Sequence, residues 1–157
     1  MNRKKALFIE KAHNNSKRKV VLIVHCDEIN VRVFSKIISR YGGGNIFSVR
    51  ASENTEEILL LAASGKIDVI LMGTALANSI YQGKPTDGLT ITRLLKSDPK
   101  TASIPVLLTC AYGMKGDRES FLALSGADAY ISLPITDRQA FVGIVAKYGF
   151  SDPEDSE

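Results

Sequence analysis

From Val20 onward, short apolar runs alternate with segments whose apolar positions recur every three or four residues. VVLIV (20–24) is apolar throughout, the pattern of a strand covered on both faces. EINVRVFSKIISRY (28–41) sets Ile29, Val33, Ile37 and Tyr41 at helical spacing and ends at GGG, which predicts a first helix. IFSVRA (46–51) predicts a second strand. Asn54 or Thr55 caps a second helix that runs through LLLAA to Gly65. DVILM (68–72) predicts a third buried strand. Residues 73–87 are expected to form a loop, followed by a helix over LTITRLLKSD that Pro99 keeps from continuing. VLLTC (106–110) is the fourth strand, and the helix inside MKGDRESFLALSG closes at Gly126. AYISL (129–133) is the fifth strand, ended by Pro134. TDRQAFVGIVAKYG (136–149) carries the last helix, with Thr136 or Asp137 as its cap.

Five strands alternating with five helices predict an α/β fold with an open, doubly wound, five-stranded parallel sheet. Right-handed crossovers place helices on both faces. The functional crevice of such a sheet lies beyond the carboxyl ends of its strands, near the point where strand order reverses. The residues that follow the strands are therefore the candidates: His25, Cys26 and Asp27, then Gly73, Cys110 and Leu133.

Charge changes the picture at the ends. Residues 1–19 form a basic extension of net charge +6, and 150–157 an acidic tail carrying −4 from Asp152, Glu154, Asp155 and Glu157. The body between them, 20–149, is nearly neutral. The tail has the composition of a disordered segment. The head holds a short amphipathic patch, ALFIEKAH, without the aromatic interleaving or groove-fitting motif of a nucleic-acid arm, so sequence-specific DNA binding is not expected. No apolar run approaches the roughly 20 residues that span a bilayer, and no signal peptide is read. Cys26 and Cys110, 84 residues apart, form no disulfide framework, which suits a reduced, cytoplasmic setting.

The ordered stretches VLIVHCDEIN, IDVILM, DGLTITRLLKSD and IPVLLTCAYGMKGDRESFLALSGADAYISLPI resemble a response-regulator receiver (CheY-like) domain over residues 20–148. The resemblance implies a flavodoxin-like receiver fold with strand order 2-1-3-4-5. It also implies a role in two-component signal transduction rather than as an enzyme. Receivers accept a phosphoryl group on an aspartate after the third strand. An acidic pair after the first strand holds Mg²⁺, a Thr or Ser follows the fourth strand, and a Lys follows the fifth.

Aligned on the flanking matches, all five positions are changed here. The acidic pair falls on His25 and Cys26, the acceptor on Gly73, the hydroxyl on Cys110 and the lysine on Leu133. Thr109 does not restore the hydroxyl, because neighbouring strand residues point to opposite faces. Asp27 is expected to cap the first helix, Asp68 opens its strand, and Asp87 belongs to the Asp-Gly before the third helix. The expectation is a degenerate pseudo-receiver that needs neither Mg²⁺ nor any other cofactor and works through protein–protein contacts. Two alternatives stay open: a phosphorelay acceptor using a non-standard residue, and a redox or zinc sensor built on His25, Cys26 and Cys110.

The resemblance also implies a partner surface over residues 115–148, with Tyr112, Tyr130 and Arg138 as contacts. It would serve a signalling or kinase-type protein, or a second copy of the chain. Tyr130 stands where receivers carry a switching aromatic, and is expected instead to pack against the fourth helix. TALANSIYQGKPT (74–86) is 13 residues long, well beyond most βα loops of about 2 to 6 residues.

Overall fold

The computed structural model describes residues 18–43, 46–111 and 113–150. The basic head up to Lys17, the acidic tail from Ser151, and Tyr112 lie outside the described residues. The five expected strands are β1 (Lys19–Val24), β2 (Phe47–Ala51), β3 (Val69–Gly73), β6 (Val106–Cys110) and β7 (Ala129–Ser132). They form one parallel sheet in the order β2-β1-β3-β6-β7. This is the expected 2-1-3-4-5 order, with two extra short strands intervening in the count.

Strand alternation divides the core into two layers. Val21, Ile23, Val69 and Leu71 face α1 (Glu28–Tyr41) and α5 (Arg138–Gly149), where they meet Phe34, Ile38, Phe141 and Val145. Leu22, Val24, Ile70 and Met72 face the other way, toward α2 (Thr55–Ala63) and α3 (Gly88–Ser97), where they meet Ile58, Ile91 and Leu95. The fully apolar reading of β1 and β3 follows from this double cover, since both are buried on each face.

Carboxylates and amides fix the helix starts. Asp27, Asn54, Asp87 and Asp137 each accept from a backbone N–H of the helix they precede. The exception is α4 (Asp117–Ser125), which starts at left-handed Gly116 without a side-chain cap. It is also the least embedded helix, with only Ser125 buried.

Two readings of the sequence need correction. On α1 the buried face is Phe34, Ile37 and Ile38, whereas Ile29 is 70% and Val33 42% exposed. The stripe drawn through Ile29 and Val33 is rotated away from the face that α5 covers. The segment 73–87 is not a plain loop. It holds a hairpin of β4 (Ile80–Tyr81) and β5 (Lys84–Pro85). Gln82 and Gly83 both take positive φ, 52° and 77°, the tight turn that suits the twist of a two-residue hairpin.

Candidate functional site

The carboxyl ends of β1, β3, β6 and β7 bring the predicted site positions to one edge, and their side chains do not build a metal cradle among the described residues. His25, the first residue after β1, is half-buried with its ring edge-on to Phe34, 5.8 Å between centroids. Its Nδ1 accepts from the Asp27 backbone N–H at 3.0 Å. Cys26 is exposed, and its thiol donates to the Ala75 carbonyl at 3.6 Å. Gly73 ends β3 in a buried position. A Cβ placed there would lie 3.2 Å from the Val24 carbonyl oxygen, 3.4 Å from the His25 ring and 3.5 Å from Leu76. Leu76, the third residue of the inserted segment, thus occupies the space beside the acceptor position.

Cys110 and Leu133 take apolar or neutral roles. The Tyr130 hydroxyl hydrogen-bonds Cys110, and Gly113 leaves room for that hydroxyl, since any Cβ there would overlap it. Burial first, and then Cys110, push the Tyr130 phenol up to about 12. Tyr130 also packs on Phe121 of α4, at 6.4 Å. Leu133 packs against the layer containing Phe34 and Phe141, and its N–H donates to the Cys110 carbonyl. Thr109 is buried on the opposite face from Cys110, with its hydroxyl unpartnered.

The nearby acids are committed elsewhere. Asp27 accepts from the Ile29 N–H and from Asn30, and Asp87 accepts from the Thr90 N–H. Glu53, before α2, uses both carboxylate oxygens on Asn78, from its backbone N–H at 3.1 Å and its side-chain amide at 3.4 Å. The Ser79 hydroxyl donates to the Glu53 carbonyl at 2.7 Å. The inserted hairpin is therefore tied down across the site by a residue of the β2–α2 turn, a link that sequence spacing did not reveal. Asp68 sits at the opposite edge of the sheet, where it accepts from the Val20 N–H.

Among the described residues, no three His, Cys, Asp or Glu side chains are grouped to hold a metal. His25 and Cys26 are not the hard oxygen donors that Mg²⁺ demands, so the residues present do not fit that ion. Of the predicted partner contacts, half-buried Tyr130 turns its hydroxyl to Cys110 and Gly113. Arg138 is exposed and donates to the Tyr41 hydroxyl of α1 at 3.4 Å, which places it on the α1–α5 side.

Burial holds the His25 imidazole below its usual 6.5, against the opposing pull of Asp27 and Glu53. Below pH 6.5 the unfolded chain takes up this proton more readily than the folded one. The contribution is therefore complete above that value and lost as pH falls through the lower folded pKa. His25→Asn keeps an acceptor near Nδ1 without the titration. Its urea midpoint should drop less between pH 7.5 and 5.5 than that of the unaltered chain. An equal drop in both would remove His25 as the source.

Sheet order, the gathering of the site positions at one edge and likeness to known proteins agree: the chain belongs to the response-regulator receiver family of signal-transduction domains. It is 35% identical over 118 residues to the polar-differentiation response regulator DivK of Brucella anthropi, covering 75% of this chain and 86% of that protein. The protein of the same name in Brucella melitensis is 34% identical over 118 residues. The chain matches no protein-family model. Among solved structures, the receiver domain of a sensor histidine kinase from Pseudomonas aeruginosa superposes with a TM-score of 0.69 at 21% identity, over 86% of this chain and all of that one. That protein was solved with a magnesium ion in its active-site cleft. A CheY-like receiver from Methanospirillum hungatei gives 0.66 at 16% identity, over 85% of this chain and 94% of that one. At these identities the structures carry the fold alone. Among the described residues no helix is long and apolar enough to cross a membrane.

Proposed function

We propose that this receiver signals without aspartyl phosphorylation and acts as a protein–protein interaction module rather than as an enzyme. The observation that carries the reading is Gly73. The end of β3 offers no carboxylate, and the adjoining space holds Leu76 and the His25 ring. His25, Cys26, Cys110 and Leu133 replace the remaining charged and hydroxyl groups in the same neighbourhood. Phosphoryl transfer depends on a metal and a cation neutralising charge in the transition state; among the described residues no three His, Cys, Asp or Glu side chains are grouped to hold the metal, and Leu133 stands at the lysine position. Removing the acidic cluster also removes the repulsion that a buried set of carboxylates suffers without its cation.

The domain proper is assigned to residues 20–149, with 1–19 and 150–157 as charged extensions. The partner face is assigned to the α4–β7–α5 side (115–148). Two large apolar side chains on or beside thinly embedded α4 support it: Met114, 78% exposed, and Leu124, 58% exposed. A signalling protein, or a second copy of the chain, would cover them.

Incubation with acetyl phosphate and Mg²⁺, followed by intact-mass measurement, should give no gain of one phosphate. Chelator or added Mg²⁺ should leave the melting temperature unchanged. A stable phosphate adduct would establish the rival reading, a phosphorelay acceptor on a non-standard residue.

A further inference from the structure

At the edge of the sheet opposite the changed site, Arg18, Lys19, Arg50 and Lys66 line a cleft of about 550 Å³, together with Asp68. Asp68 is already engaged, by the Val20 N–H at 2.8 Å and by the Lys19 ammonium at 3.9 Å. Among the described residues Arg18, Arg50 and Lys66 form no ion pair. Glu56 and Glu57 of α2 line only a neighbouring cavity that shares Arg50 and Lys66. The cleft is thus a concentration of positive charge on a nearly neutral domain, and neither the fold nor the proposed function uses it.

The last helix ends beside this cleft. Phe150 follows α5 and is buried against Phe47, the first residue of β2, with 5.6 Å between ring centroids. The Lys19 ammonium lies 5.7 Å above the Phe150 ring, so one lining residue of the cleft touches the point from which residues 151–157 depart. Those seven residues carry four carboxylates and no cation. Fully extended they reach roughly 23 to 25 Å, whereas Arg50 is only three residues along β2 from Phe47, a distance of about 10 Å.

We propose that the acidic segment 151–157 docks in this basic cleft of its own chain, its carboxylates facing Arg50, Lys66 and Arg18. Exposed ion pairs are individually weak and screened by salt. Attachment at Phe150 supplies the affinity, because a short tail joined directly to the domain is held at millimolar effective concentration.

Zero-length carbodiimide cross-linking of the full chain at low salt, mapped by mass spectrometry, tests this contact. Expected are intrachain links from Asp152, Glu154, Asp155 or Glu157 to Lys19 or Lys66. They should fall at least tenfold in 1 M salt, and severalfold in the Arg50→Glu variant, which keeps both lysines. A full-length D152N/E154Q/D155N/E157Q variant should shift the backbone amide resonances of Ser48, Arg50 and Lys66, and should elute from heparin at higher salt. The proposal is overturned if the links run only to Lys4, Lys5, Lys11, Lys17 or Lys147, only between two chains, or not at all. It is also overturned if the neutralised tail leaves those three resonances in place.

Discussion

Gly88→Ala is expected to cost the fold about 3 kcal/mol or more, the largest single effect of any small substitution near the site. Gly88 is the first residue of α3 and is fully packed. Its N–H donates to the Thr74 carbonyl at 3.1 Å, and an added Cβ would overlap the carbonyl group of Gly73 and press on Met72. The obstacle is backbone of the central strand, not the end of a flexible side chain. Relief therefore requires α3 to back away from β3, which would loosen Ile91 and Leu95 from the core beneath it. Urea unfolding should show a large fall in midpoint with little change in slope. A variant as stable as the unaltered chain would mean that α3 and β3 are not this close.

Returning a carboxylate to the acceptor position is the second large effect. Gly73→Asp should destabilise the chain by about 2 to 4 kcal/mol at neutral pH, whereas Gly73→Ala should cost about 1 kcal/mol, since its Cβ meets only tight contacts at 3.2 to 3.5 Å. The difference between the two variants isolates the charge. The new carboxylate would stand beside Leu76 and the His25 ring with no metal ligands around it. Lowering the pH charges the imidazole and neutralises the acid, so the penalty should shrink between pH 8 and pH 5. Mg²⁺ should not restore stability, and acetyl phosphate should still add no mass, because Cys110 and Leu133 leave the phosphoryl oxygens without a hydroxyl or an ammonium. A phosphorylated Gly73→Asp protein would show that a single substitution retired the site, and that the other four changes are incidental.

The inserted hairpin fits the same account. On the proposed reading the carboxyl edge need not admit a phosphoryl donor. Here Cys26 reaches the Ala75 carbonyl, Leu76 sits beside Gly73, and Glu53 holds Asn78 and Ser79. A segment of 13 residues that would otherwise be a costly loop is held by contacts to Glu53 and Cys26, both well earlier in the chain.

Much of this was legible in the amino-acid sequence. The alternation of apolar runs and 3.6-residue patterns determined five strands and five helices, and with them the parallel sheet, because burial on both faces demands unbroken apolar strands. The same alignment of strand ends picked out His25, Cys26, Gly73, Cys110 and Leu133, since side chains just past the strands of such a sheet share one edge. Asp27 and Asn54 announced their helix starts, because capping is a contact between residues two or three apart.

Only the tertiary structure decided the rest, and each case turns on a contact between residues distant in sequence. Which stripe of α1 is buried depends on where α5 lies, so Ile29 and Val33 look like core in the sequence and stand in solvent in the fold. The hairpin escaped notice because Gln82-Gly83 is a weaker turn signal than Asn-Gly or Asp-Gly, and because Glu53, which holds it, lies in another turn. Gly88 reads as an ordinary glycine after an aspartate until β3 is found against it. The cleft of Arg18, Lys19, Arg50 and Lys66 draws on three separate points of the chain, and no local pattern announces that they meet beside Phe150, just past the last helix.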